Sequence, residues 1–125
     1  MNPYIERTRA LEFLISEAPG TLSRDTFTLL PSQGALVAGT VLSRVTASLK
    51  YQLLAPAGSG GAEVARAILS RNVPNVAADQ EITVIDGNAE VLLSLLTFPA
   101  GITAPQTVTA TANLAARSIK IRNAV

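Results

Sequence analysis

Apolar and polar residues alternate with a period of two along much of this chain, the spacing of strands that bury one face. Asp25 to Leu30 sets Phe27 and Leu29 against Thr26 and Thr28, and Pro31-Ser32-Gln33-Gly34 breaks the run. Ala35 to Val45 is rich in β-branched residues, with Gly39 inside it marking a bulge or bend. Tyr51, Leu53 and Ala55 alternate next, and Ala57-Gly58-Ser59-Gly60-Gly61 reads as a flexible loop. Glu63 to Ser70 fits either periodicity, since Val64, Ala65, Ile68 and Leu69 also match helical spacing; it is assigned here as strand. Ile82 to Ile85 and Ala89 to Leu93 flank Asp86-Gly87-Asn88, the pattern of a tight hairpin whose Asp-Gly supplies positive backbone angles. Pro105 to Ala116 predicts the one helix, with Thr103 and Gln106 at capping-box spacing and Val108, Ala112 and Ala115 on one face. Its threonines weaken the helix propensity. Ser118 to Arg122 alternates as a closing strand, and no internal repeat is visible.

The first twenty residues differ from the rest. They carry Glu6, Arg7, Arg9, Glu12 and Glu17, and they end at the turn signal Ala18-Pro19-Gly20. Leu11, Phe13 and Ile15 alternate with Glu12, Leu14 and Ser16, which predicts an extended segment. The chain therefore divides into an N-terminal arm over residues 1–21 and a β-rich domain over 22–125. The expected fold class is mixed α/β, mainly β: a small β-rich body with one short C-terminal helix and an extended N-terminal arm. An alternating terminal segment can add to the exposed sheet edge of another protein, with Leu11, Phe13 and Ile15 as the inward set. It can equally pair with its own domain's sheet, and the pattern does not choose.

Composition narrows the function. The 125 residues include no cysteine, histidine or tryptophan and only five aromatic residues. Without cysteine there is no disulfide, thiolate nucleophile or thiolate metal site; without histidine there is no Ser-His or Cys-His dyad and no imidazole ligand. No catalytic, metal or cofactor site is expected. Ten basic and nine acidic residues give a net charge of +1, and base-stacking aromatics are scarce, so no direct nucleic-acid contact is expected. Only 15% of residues are charged, against about 25% in an average soluble protein. A surface that neutral fits a protein covered by a partner, or simply a weakly charged monomer. The segment around Leu11 to Ile15 is too short and too broken for a signal peptide or membrane span, so a soluble protein made inside the cell, with no membrane partner, is the expectation.

Individual motifs add little chemistry. Gly58, Gly60 and Gly61 lack the Gly-Lys-Ser/Thr of a phosphate loop and read as a surface loop. Asp25, Asp79 and Asp86 fall at turns, where carboxylates are solvated. Ser118 and Lys120 share a strand face, but a nucleophilic pair needs a buried, neutral lysine, and Lys120 lies between Arg117 and Arg122. Those three cations form either a small basic patch or a solvated face.

The run Glu12-Phe13-Leu14-Ile15-Ser16-Glu17-Ala18-Pro19-Gly20-Thr21-Leu22-Ser23-Arg24-Asp25 resembles the opening signature of the head decoration proteins of tailed bacteriophages, the lambda protein D type. That signature reads Phe-Leu-x-Ser-Glu-x-x-Gly-x-x-Ser-Arg-Asp/Glu. The likeness continues through Gly39-Thr40-Val41-Leu42, Lys50-Tyr51, the apolar run Ala65 to Ser70 and Asp86-Gly87-Asn88-Ala89-Glu90-Val91. No match to the signature can be quoted for residues 2–11, and Arg117 to Arg122 replaces the glycine of the family's Leu-Gly-Ile pattern and adds a tail to Val125.

The resemblance implies a capsid decoration, or cement, protein with no catalytic residues. Such proteins assemble as homo-oligomers, typically trimers, made in the host cytoplasm and bound to the outer surface of the expanded capsid in the virion. There they clamp neighbouring major capsid subunits against the pressure of packaged DNA, and an N-terminal arm joins a capsid strand. Carried over, the candidate capsid-binding residues are Leu11, Glu12, Phe13, Leu14, Ile15, Ser16, Glu17, Gly20, Leu22, Ser23 and Arg24. Deleting residues 2–20 is then expected to abolish capsid binding and leave a folded body. The alternative is another structural virion component, a tail or neck ring protein; a small hydrolase using Ser118 and Lys120 is a distant third.

Overall fold

The computed structural model describes residues 13–17 and 23–122. Eight strands and one α-helix follow in the order β1 (Leu14–Glu17), β2 (Arg24–Leu29), β3 (Val41–Arg44), β4 (Tyr51–Leu53), β5 (Ala65–Leu69), β6 (Gln80–Ile85), β7 (Ala89–Leu92), α1 (Ala104–Ala115) and β8 (Ile119–Arg122). The mainly β class with one C-terminal helix is as the sequence predicts. Five strands close a small barrel in the order β2-β4-β3-β5-β6, and β1-β7-β8 form a separate three-stranded sheet. Closure between β2 and β4 is a single parallel pairing, Leu29 with Tyr51, backed by the Leu30 N–H donating to the Tyr51 carbonyl at 2.9 Å.

Two apolar cores result. Leu29, Leu42, Tyr51, Ala67, Leu69, Ile82 and Val84 pack together among the barrel strands, where the Phe27 and Tyr51 rings stack with centroids 4.6 Å apart. The second core joins Val41, Ile68 and Ile85 from the barrel to Phe13, Val91, Leu114 and Ile119 from the remaining elements. Strand β5 therefore serves both cores, Ala67 and Leu69 to one and Ile68 to the other. With every β5 position but Arg66 buried, apolar and polar residues do not alternate, which is why Glu63 to Ser70 matched helical spacing as well.

Helix α1 starts as predicted. The Thr103 hydroxyl accepts from the Gln106 N–H at 3.3 Å, and the Gln106 side chain accepts from the Thr103 N–H at 3.0 Å. Thr107 and Thr109 hydroxyls donate to carbonyls four residues back, at 3.0 and 3.1 Å, which satisfies these hydroxyls on the exposed side of the helix. The buried face is not the predicted one: Ala110 and Leu114 face the core, whereas Val108, Ala112 and Ala115 are exposed and Val108 is 66% accessible. The docking partners are β5 and β8, and the Asn113 side chain adds a hydrogen bond from the Ala65 N–H at 3.1 Å, so tertiary contacts chose the face.

The predicted hairpin at Asp86-Gly87-Asn88 is also corrected. Both strands exist, but β6 pairs with β2 and β5 while β7 pairs with β1 and β8. The three residues carry the chain from barrel to sheet. Asn88 alone among them takes a positive φ, 51°, whereas a two-residue hairpin turn of the Asp-Gly type needs two such residues. The predicted strand over Ala35 to Val45 shortens to β3, because Gly39 at φ 94° turns the chain before it.

Candidate functional site

The resemblance places the functional residues at the start of the chain, and the described part of that segment is folded into the molecule. Strand β1 runs antiparallel to β7, with Leu14 opposite Val91, Ser16 opposite Glu90 and Glu17 opposite Ala89. A bulge between Leu14 and Ser16 interrupts the period of two. Phe13, 1% exposed, sits in the second core, and its carbonyl accepts from the Leu92 N–H at 2.8 Å. Leu14 packs against the same core, and Ile15 is half-buried. Of the two readings left open by the pattern, Leu14–Glu17 shows pairing with the chain's own sheet. Leu11, Glu12, Gly20 and Leu22 lie outside the described residues.

After residues 18–22 the chain returns at Ser23, which is fully buried. Its hydroxyl donates to the Asn88 carbonyl at 2.7 Å and its own carbonyl accepts from the Asp86 N–H at 3.0 Å, so it grips the crossing from β6 to β7. Arg24 then reaches back to Glu17 through two parallel hydrogen bonds, Nε to Oε2 at 2.8 Å and Nη2 to Oε1 at 2.6 Å. The Arg24 hydrogen bonds hold the Glu17 carboxyl below its ordinary value of 4.5, and the Arg24 guanidinium is correspondingly raised. Glu, Ser and Arg of the signature thus form a clasp that ties the edge strand β1 to the first barrel strand.

A second polar junction lies beside it. Arg117 Nε donates to the Asp86 carbonyl at 3.0 Å, and Arg117 Nη2 lies 3.8 Å from Asp86 Oδ2. Burial pushes the Asp86 carboxyl up, and Arg117 opposes that shift. The sequence reading missed this pair because Asp86 was assigned to a solvated hairpin turn, and the partners stand 31 residues apart. Arg122 pairs with Glu90 at 2.7 Å, so of the three C-terminal cations Arg117 and Arg122 have ion-pair partners among the described residues and Lys120 has none there. Ser118 and Lys120 are both exposed.

The three-stranded sheet has two outer strands, β1 and β8, and each is hydrogen-bonded to β7 alone. No other described strand pairs with the outer edge of either. Among those residues there is no helix long and apolar enough to cross a membrane and no cluster of acidic side chains placed to hold a metal ion.

Comparison with curated proteins gives no match. A family model does match: that of the bacteriophage lambda head decoration protein D covers residues 3–119 of the 125, and the chain therefore belongs to this family.

Proposed function

We propose that this chain, whose family is one of structural phage-head proteins, binds the exterior of the expanded head and stabilises it against internal DNA pressure. The observation that carries the reading is the family match over nearly the whole chain. The protein would work as a homo-oligomer, a trimer by resemblance, bridging neighbouring major capsid subunits. Several weak contacts made together then resist shell rupture better than any one of them, because each additional engagement is intramolecular. The clasp geometry supports a role for the N-terminal segment. It fixes β1 as an outer strand of the sheet, where its unpaired edge can receive a capsid strand without loss of its bonds to β7.

The structure changes how this is tested. A deletion through residue 20 removes Phe13 from the core and β1 from the sheet, so loss of binding would report unfolding as much as lost contacts. Deleting residues 2–12 leaves both in place. The truncated protein should keep its circular dichroism and lose co-sedimentation with expanded capsids. Full occupancy by the truncated form would remove residues 2–12 from the capsid-binding segment. Failure of the full-length protein to co-sediment would end the decoration reading.

A further inference from the structure

We propose that the cleft lined by Arg44 and Arg66, at one end of the barrel, receives a carboxylate side chain of the capsid subunit on which the protein sits. The inference rests on the decoration reading and names the chemistry of one contact within it.

Arg24, Lys50, Arg117 and Arg122 each have an acidic partner within 4 Å, on Glu17, Asp79, Asp86 and Glu90. Arg44 and Arg66 have none among the described residues, yet both line one cleft together with Thr46, Gly61 and Val64. Two like charges in one cleft raise the energy of the free protein, and an anion between them relieves it. Arg66 is held there by the fold: in the β3–β5 ladder Leu42 faces Ala67 and Ser43 faces Ala65, which makes Arg66 the extra residue of a β-bulge. Its Nε and the Tyr51 hydroxyl are both buried without a well-formed hydrogen bond among the described residues, and Arg66 lies near enough to the phenol to oppose the effect of its burial. The Tyr51 phenol, raised further by burial, is neutral at pH 7 and supplies no compensating charge.

The surroundings suit a protein partner. The Thr46 N–H donates to the Gly60 carbonyl at 2.9 Å, tying the β3–β4 turn to the loop before β5. Gly61 approaches so closely that a Cβ there would lie 2.3 Å from the Arg44 carbonyl, so the wall of the cleft has no slack. Two of the exposed large apolar residues, Leu49 on that turn and Val64 beside Arg66, are 56% and 44% accessible. Arginine set among apolar side chains is the composition of binding hot spots. Glu63, the carboxylate nearest in sequence, accepts from the Gly61 N–H and makes no ion pair with either arginine among the described residues, so the loop beside the cleft does not fill it.

The test uses expanded capsids of the phage's own major capsid protein and full-length variants Arg44→Glu, Arg66→Gln and Arg66→Met. Wild type should co-sediment with an affinity that falls as NaCl rises. Arg44→Glu should bind at least tenfold more weakly and Arg66→Gln several-fold, both with a shallower salt dependence and with unchanged circular dichroism and oligomer size. Arg66→Met should melt at a higher temperature than wild type while binding capsids less well. An arginine with a merely structural role would lower both. Binding by all three variants within twofold of wild type, with the same salt slope, overturns the inference and leaves the decoration reading standing. A changed oligomer size would place a second copy in the cleft and overturn it also. Wild type that fails to bind at all removes the reading on which it rests.

Discussion

Replacing Gly39 with alanine separates two costs that usually arrive together. Gly39 has φ 94°, and Gly60 has φ 70°, so alanine at either site is forced into the left-handed region at about 1–2 kcal/mol. Part of that is offset because alanine narrows the unfolded ensemble, by about 0.4–1 kcal/mol. At Gly60 a Cβ meets nothing within 4 Å, so the net loss should be about 1 kcal/mol or less. At Gly39 it would lie 2.4 Å from the Leu95 carbonyl oxygen, where ordinary contact begins at 3.4 Å. Relief requires about 1 Å of main-chain movement in a segment pinned by Thr97 N–H to the Gly39 carbonyl at 2.8 Å and Val41 N–H to the Thr97 carbonyl at 3.0 Å. Overpacking of this kind adds about 1–3 kcal/mol, for a total near 2–4. Urea unfolding followed by circular dichroism, at one fixed protein concentration, should place Gly39→Ala about 2 kcal/mol below Gly60→Ala. At roughly 3–6 °C per kcal/mol for a chain this size, the melting temperatures should differ by about 6–12 °C. Two variants within about 0.5 kcal/mol of each other would refute the claim that the close approach of Leu95, rather than the backbone angle, demands glycine in the Gly-Thr-Val-Leu segment.

Other outcomes follow from the polar groups. Because Glu17 is held below 4.5 in the folded state, its pairing stabilises the protein above that pH and the contribution fades as pH falls through the folded value. Glu17→Gln should therefore cost about 0.5–1 kcal/mol at pH 7, a modest figure because Arg24 is 37% exposed, and progressively less as the pH is taken below 4.5. Denaturation midpoints across that range check it. Burial raises the Tyr51 phenol above 10, so the unfolded chain ionises first and stability falls as pH climbs past 10. Tyr51→Phe should flatten that alkaline limb and be neutral or up to about 1 kcal/mol stabilising at pH 7, since the lost hydroxyl makes no well-formed hydrogen bond among the described residues. Thr103→Ala removes the capping box of α1 and should cost about 0.5–2 kcal/mol in the same unfolding assay.

Much of the fold was legible because its signals are local. The strands from Arg24 to Leu29 and Ile119 to Arg122 alternate cleanly, and the helix start at Thr103 is written in four consecutive residues. The failures share a cause. Val108, Ala112 and Ala115 are the more apolar stripe by spacing, yet Ala110 and Leu114 are buried because β5 and β8 lie on that side. Asp86-Gly87-Asn88 has hairpin chemistry, but the strands it joins find better partners elsewhere. The signature residues were identified by likeness alone; nothing in their spacing shows that Glu17 and Arg24 clasp each other or that Ser23 grips Asn88.

Residue types and local pattern alone determined that this is a weakly charged, mainly β chain without thiol or imidazole chemistry, with one capped helix near its end. Those properties depend on neighbours within a few positions, where backbone preference and side-chain period act directly. Only the tertiary structure decided that the β-rich body includes a closed barrel and a three-stranded sheet, and that Leu14–Glu17 is clasped into the second. It also decided which arginines are paired and which are left facing an open cleft. Strand partnership and charge pairing are settled by contacts between residues far apart in sequence, chosen by how two cores can both be filled, and no local pattern encodes that choice.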